Sequence, residues 1–198
     1  MSRLMVICNL TLDGVMQGPG RPEEDERGGF TRGGWAVPYS SDAMGRVMSE
    51  GMGGGGGAAM LFGRRTYQDF YGFWPRQRDN PFTALLDRMQ KYVASTTLAE
   101  PLPWVNSTLL RGEAAAAVAA LNAAEPDQDL VVLGSGELVG TLRRSNLVDE
   151  YKLLIHPLVL GTGRRLFPDD GTASTLELVD SVGTSTGVII ATYHPVPS

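Results

Sequence analysis

The sequence predicts an α/β protein with a mostly parallel central sheet flanked by helices and an antiparallel C-terminal edge. Three observations carry this. Short apolar runs alternate with helix-compatible segments along nearly the whole chain. Several of these runs pass directly into small or hydroxylated residues, the pattern of a strand that ends in a turn and feeds a helix. The last two runs, Leu176 to Asp180 and Val188 to Tyr193, have no helix between them and read as an antiparallel pair. The chain has 198 residues, which fits one domain, 1–198, with a sizeable core.

Leu4 to Leu12 is an apolar run that stops at Asp13-Gly14, a strand and its turn. Residues 17–35, rich in Gly, Pro and charge, read as a surface loop. Ser40 to Met52 reads as a helix capped by Ser40 or Ser41, with Met44, Val47 and Met48 on one face. Gly53 to Gly57 is a run of five glycines; no helix survives it, and it reads as a flexible connection. The Lys-Ser/Thr of a phosphate-cradling P-loop does not follow it. Ala58 to Phe62 is a strand, and Thr66 to Phe70 a helix-like segment. Asn80 caps a helix with Pro81 at its first position and Phe82, Leu85, Leu86 and Met89 facing inward. Lys91 to Ala94 is a strand, Glu113 to Ala124 an alanine-rich helix stopped by Pro126, and Leu130 to Leu133 a strand. A helix from Glu137 to about Arg144 follows. Tyr151 to Leu160 reads as one long strand before the turn Gly161-Thr162-Gly163.

Hydrophobic residues make up 42% and charged residues 20%, with a net charge of −5 and a pI near 5.0. That balance lacks the basic face a nucleic-acid partner would need. One cysteine, Cys8, allows no internal disulfide and no CxxC metal spacing; it reads as a buried thiol, and no metal site is expected. No apolar run approaches a membrane span, and the N-terminal run is too short for a signal segment, so no membrane partner and a cytoplasmic location are expected.

Three segments share one design, an apolar strand running into small, hydroxylated or basic residues. They are Leu61-Phe62-Gly63-Arg64-Arg65-Thr66, Tyr92-Val93-Ala94-Ser95-Thr96-Thr97 and Val132-Leu133-Gly134-Ser135-Gly136-Glu137. Ligands of open α/β sheets bind beyond the carboxyl ends of strands, where helix N-termini offer free N–H groups to phosphate and glycine admits close approach. Arginine adds planar, bidentate phosphate recognition. Three such turns together predict a ligand with several phosphates, such as a dinucleotide. The ordinary Rossmann fingerprint does not fit, because Val139 stands where the third glycine belongs.

The same motifs, in the same order, make the chain resemble the dihydrofolate-reductase-like superfamily, and in particular stand-alone proteins similar to the reductase domain of the bifunctional riboflavin-biosynthesis deaminase/reductase. The resemblance rests on Leu12-Asp13-Gly14, on Leu61 to Tyr67, on Tyr92 to Ser95 and on Leu133 to Leu138. It continues through Asp149-Glu150-Tyr151 to the segment His156 to Phe167. No deaminase zinc motif is present. The resemblance implies a dihydrofolate-reductase-like fold, NADPH as cofactor and a homodimer. It implies that Gly63, Arg64, Arg65 and Thr66 meet the cofactor phosphates and that Ser95 and Thr96 lie near the adenosine 2′-phosphate. It puts Gly134, Ser135, Gly136, Glu137 and Leu138 under the pyrophosphate, and Leu12, Asp13 and Gly14 beside the nicotinamide. The apolar run Tyr151 to Leu160 is a second reason to expect a dimer.

Hydride transfer to a C=N bond benefits from a proton donor near the accepting nitrogen. Asp42, in the first turn of the predicted helix, is the first candidate, although the helix dipole alone favours an acid there. Glu50, late in the same helix, is the second. Trp35, Phe73 and Trp74 could wall a pocket for a small-molecule substrate. Two functions remain open at this stage: an NADPH-dependent reductase of a small heterocyclic or carbonyl substrate, and a nucleotide-binding protein of the same fold without turnover.

Overall fold

In the computed structural model, which describes residues 2–51 and 57–196, the short apolar runs become one sheet. Its strands are β1 (Leu4–Thr11), β2 (Ala58–Gly63), β3 (Lys91–Ala94), β4 (Ser107–Leu110), β5 (Asp129–Leu133), β6 (Glu150–His156), β7 (Leu176–Gly183) and β8 (Ile189–Pro195). The helices are α1 (Asp42–Gly51), α2 (Arg64–Phe73), α3 (Pro81–Arg88), α4 (Ala114–Ala124) and α5 (Gly136–Arg144). The strand order is β4-β3-β2-β5-β1-β6-β8-β7. Pairing is parallel from β4 to β6 and antiparallel from β6 through β8 to β7. This is the mostly parallel sheet with an antiparallel C-terminal edge that the sequence predicts.

The central strands are apolar without alternation because both faces are covered. On one face Leu4, Val6, Cys8, Leu10, Val132, Val139 and Leu142 join one core. On the other, Ile7, Met60, Phe62, Tyr67, Leu86 and Trp104 join a second. Neighbours along β1 therefore point into different cores, as a period of two requires.

Local signals set the helix ends. The Asn80 side chain accepts from the Phe82 N–H, and the Glu113 carboxylate accepts from the N–H groups of Ala115 and Ala116. Helix α2 starts at Arg64, two residues before the segment read from sequence, because Gly63 in extended backbone is its N-cap. Of the glycine run 53–57, only Gly57 lies within the described residues.

Two expectations are corrected, and one strand is added. The strand read as Tyr151 to Leu160 ends at His156. Pro157 has no N–H for the ladder, and the chain then leaves β6 to bond across the exit of β1, where the Leu12 N–H donates to the Leu158 carbonyl at 2.9 Å. Residues 17–35 are not simply a surface loop, because Gln17, Phe30 and Trp35 are buried. The Trp35 indole donates to the Gln17 carbonyl, and the Gln17 amide donates to the carbonyls of Asp25 and Arg27. Strand β4, a four-residue edge strand entered through Asn106 at a φ of 55°, has no counterpart in the sequence reading.

Lys91 is fully buried at the start of β3. Its Nζ donates to the carbonyls of Leu86 (2.6 Å) and Met89 (2.7 Å) and lies 4.8 Å from the centre of the Trp104 ring. Burial pulls its pKa down to about 8, against the partial restraint of Asp87. The unfolded chain keeps this proton to higher pH than the folded one, so stability should rise with pH from 8 to about 9. The expected gain is on the order of 0.5–1 kcal/mol. Above about pH 9 the trend should flatten and then reverse, because burial pushes the Cys8 thiol and then the Tyr151 hydroxyl up to about 12 while the unfolded groups ionise first. Urea unfolding across this range checks both limbs, and Lys91→Met should abolish the rise.

Candidate active site

A cleft of about 1840 Å³ opens at the carboxyl ends of the parallel strands. The three strand-end turns meet there: Gly63, Arg64, Arg65 and Thr66 after β2, Ser95, Thr96 and Thr97 after β3, and Gly134, Ser135, Gly136, Glu137 and Leu138 after β5. Adjacent parallel strands end side by side, so the topology gathers turns that lie far apart in sequence.

The turns are fixed to one another. Ser135, in left-handed backbone at a φ of 52°, turns its Oγ to accept from the Gly63 N–H at 3.1 Å. A Cβ on Gly136 would come within 2.7 Å of the Met16 sulfur, so a side chain there would have to push the Met16 thioether aside. The Ser95 hydroxyl accepts from the N–H groups of Thr97 and Leu98 and shapes its own turn. The Glu113 carboxylate already occupies the N-terminal amides of α4. The N-termini of α2 and α5 have no side-chain cap, so their amides remain open to an anion. Basic side chains surround that end: Arg64, Arg65, Arg144, Arg164 and Arg165 all line the cleft. Glu137 stands among them, with Arg164 at 2.7 Å, Arg65 at 3.2 Å and Arg27 at 3.7 Å.

The other end is acidic and aromatic. Arg21, Glu24, Asp69, Phe70 and Trp74 line it, across from Met44 and Met48 of α1. The Arg21 guanidinium pairs with Asp69 at 2.5 Å and covers the Phe73 ring at 4.2 Å. Glu24 is held by one oxygen: its Oε2 accepts from the N–H groups of Gly20 (2.5 Å) and Arg21 (3.0 Å). Its Oε1 has no hydrogen-bond partner among the described residues. Burial raises the Glu24 pKa, Asp69 raises it further, and Arg21 with the two backbone donors restrains it.

Eleven of the sequence-predicted residues line the cleft: Gly63, Arg64, Arg65, Thr66, Ser95, Thr96, Gly134, Ser135, Gly136, Glu137 and Leu138. Five do not. Leu12 is exposed, and neither Asp13 nor Gly14 contributes to the wall. Asp13 instead accepts from the Thr11 hydroxyl (2.5 Å) and from the N–H groups of Leu160 (3.2 Å) and Gly161 (2.8 Å). Asp42 and Glu50 are both exposed and outside the wall, because α1 turns Met44, Val47 and Met48 inward instead. Of the aromatic candidates Trp74 lines the cleft, while Trp35 and Phe73 pack behind it. Glu24 and Arg21 were missed; the pair Glu23-Glu24 beside Gly20 and Pro22 carries a turn signal only.

An open, largely parallel sheet with a basic cleft at its strand ends is a nucleotide-binding class of fold. The chain belongs to the RibD C-terminal domain family, which it matches over residues 4–190; this is the reductase domain of riboflavin-biosynthesis proteins. The uncharacterized protein YyaP of Bacillus subtilis (strain 168) is 32% identical over 143 residues, covering 68% of this chain and 72% of that protein. Three solved structures share the fold. One, from Shewanella sp. PV-4 and assigned to riboflavin biosynthesis, has a TM-score of 0.69 at 19% identity and covers 98% of this chain and 99% of that one. A pyrimidine reductase-like protein of Corynebacterium diphtheriae has a TM-score of 0.68 at 13% identity, covering 100% of this chain and 93% of that one. RibD of Acinetobacter baumannii has a TM-score of 0.65 at 11% identity, with 99% of this chain on 58% of that one. These likenesses confirm the dihydrofolate-reductase-like fold expected from the motifs.

The acidic wall depends on a close backbone crossing. A Cβ on Gly33 would lie 2.2 Å from the Pro22 carbonyl oxygen and 2.6 Å from that of Arg21. Gly33→Ala should therefore displace the segment carrying Arg21 and Glu24 and cost about 1–3 kcal/mol. Gly28, whose added Cβ meets nothing within 4 Å, should cost less despite its φ of 69°. Thermal unfolding of the two variants checks the contrast.

Proposed function

We propose that the protein is an NADPH-dependent reductase of a small heterocyclic or carbonyl substrate. The observation that carries this reading is the convergence of three phosphate-type turns on one cleft whose far end holds a partly buried acid. The donor set fits a phosphorylated dinucleotide: two uncapped helix N-termini, a glycine turn that a side chain would block, and several arginines. When bound, such a cofactor supplies a hydride.

The residues of the chain do the rest. Arg64, Arg65 and Thr66 hold phosphate at the start of α2, and the turn from Gly134 to Leu138 holds it at the start of α5. Ser95 and Thr96 lie by the 2′-phosphate. Arg65 and Arg164, paired with Glu137 in this structure, are the side chains that can be exchanged onto a bound anion. Phe70 and Trp74 exclude water from the substrate end, and Glu24 holds a proton at Oε1 for the substrate atom that needs one. Its raised pKa lets it keep that proton to higher pH than an ordinary carboxyl. This assigns to Glu24 the role the sequence suggested for Asp42 or Glu50. The competing reading, nucleotide binding without turnover, predicts NADPH binding with no oxidation across a broad panel of pterins, flavin precursors and quinones.

The homodimer is also a proposal. Tyr151 to His156 no longer argue for it, because β6 is covered within the chain by β1, β8 and both cores. What favours it now is β7, an edge strand that exposes Leu178, Val179 and Val182. Its unpaired backbone can add to the same strand of a second copy about a two-fold axis. Among the described residues no helix is long and apolar enough to cross a membrane.

NADPH should bind more tightly than NADH in isothermal titration at fixed salt; equal affinities would refute the 2′-phosphate assignment. Arg65→Ala should weaken NADPH more than NADH. Once a substrate is found, Glu24→Gln should cut turnover by about 10²–10⁴-fold and spare NADPH affinity. Turnover should fall as pH rises through the raised Glu24 pKa, since the protonated acid is the active form. Asp42→Asn should leave turnover nearly unchanged.

A further inference from the structure

His156 is a buried titratable group beside the cleft that the proposed reaction leaves without a task. It ends β6 and is fully buried. The rings of Trp35 (5.1 Å) and Tyr39 (5.5 Å) meet it edge-on. Its Nε2 lies 2.9 Å from Oδ1 of Asn9, a β1 residue that lines the cleft. Its Nδ1 is buried with no partner among the described residues.

Two arrangements share this geometry, and they differ in what Asn9 shows the cleft. If Nε2 carries the proton, it donates to Asn9 Oδ1 and the Asn9 NH2 group is left free. If Nδ1 carries the proton, Nε2 must accept, the Asn9 amide must turn over, and its oxygen faces the cleft. The second arrangement buries an orphan N–H donor among aromatic rings. The first buries only an unused lone pair, and orphaned donors are the rarer of the two. The Asn9 Nδ2 is not among the buried atoms without a partner, so it is open to the cleft.

We propose that the buried His156 ring, protonated on Nε2, locks the Asn9 amide as a hydrogen-bond donor in the cleft, so that a ligand must present an acceptor there, a carbonyl oxygen or an unprotonated ring nitrogen. Asn9 is then a specificity-determining residue and His156 its positioning residue. This rests on the cleft being the ligand site proposed above. The lock holds across the physiological range, because burial alone pushes the His156 pKa down to about 4 and the ring stays neutral. Among the described residues no carboxylate or cationic side chain pairs with the ring; Trp35, Tyr39 and Asn9 face it.

Nitrogen-15 NMR of the whole chain tests the lock without any ligand. The His156 ring should show the neutral Nε2–H form from pH 5 to pH 8, and an Nδ1–H or doubly protonated ring would overturn the proposal. The ligand half is tested with two fragments, 2-pyridone, which accepts through its carbonyl, and aniline, which only donates well. The Asn9 side-chain amide signals should respond to 2-pyridone at about tenfold lower concentration than to aniline. His156→Phe frees the Asn9 amide and should erase that preference, His156→Gln keeps a donor and should restore part of it, and Asn9→Asp, followed through the backbone amide signals of β1, should reverse it. Equal responses to the two fragments, no response to either, or a preference indifferent to His156→Phe would each overturn the proposal. NADPH titration of the same samples judges the cofactor reading separately, so the failure of one is distinguishable from the failure of the other.

Discussion

Asp13 closes the carboxyl end of β1 by accepting from the Thr11 hydroxyl and from the N–H groups of Leu160 and Gly161, with Arg165 3.8 Å away. The Thr11 hydroxyl is the largest of the influences that pull its pKa down to about 2, so the carboxylate stays ionised throughout the neutral range. The bonds act at the place where two distant stretches of chain must run together. From there residues 11–17 zip against 158–166: Met16 donates to the Arg164 carbonyl, Leu166 to that of Gly14, and Val15 pairs with Arg165. Gln17 extends the zipper, accepting from the Arg164 N–H while its carbonyl takes the Trp35 indole. The exit of β1, the segment after β6 and the loop bearing Glu24 therefore form one body. Without that body the strand-end turns would have no opposite wall.

The cleft so enclosed is electrostatically divided. At the end where α2 and α5 begin, Glu137 gathers Arg27, Arg65 and Arg164 from three separate stretches of chain. These are exposed pairs, each worth about 0–1 kcal/mol, so exchanging the carboxylate for a more highly charged anion costs little. Glu137 keeps three arginines close together in the absence of an anion. At the opposite end Glu24 and Asp69 face a single nearby cation, Arg21, held between Asp69 and the Phe73 ring. A ligand with phosphates at one end and an uncharged ring bearing hydrogen-bond acceptors at the other matches the proposed roles of both halves.

What could be read from sequence was local. Asn80-Pro81, Glu113 and the abrupt strand ends at Gly63, Ser95 and Gly134 are signals within a few residues of their effect, and they placed most elements and eleven lining residues. What could not be read was relational. Strand β4 is short, and only pairing with β3 makes it a strand. Asp13 sits in a motif shared with relatives, but its task is set by the N–H groups of residues 147 and 148 positions away. Asp42 was attractive as a first-turn acid, yet its helix packs through Met44, Val47 and Met48 and turns the acid outward. Glu24 lies in a segment whose composition spells loop, and only the folding of that loop beneath Trp35 and Phe30 makes it a wall.

An acid carried on a loop behaves differently from one on a helix. The protonation of Glu24 is governed chiefly by how much water the loop lets reach it, with Asp69 pushing the pKa the same way. A ring entering between Phe70, Trp74 and the methionines of α1 displaces part of that water and further disfavours the carboxylate. In the proposed reaction, ligand entry and proton uptake at Glu24 would thus favour each other through one desolvation. The backbone donors Gly20 and Arg21 keep the carboxyl in place through the change, because both hold Oε2 and leave Oε1 to carry the proton. The loop's seating, through Gln17, Trp35 and the crossing at Gly33, thereby becomes part of the acid's chemistry.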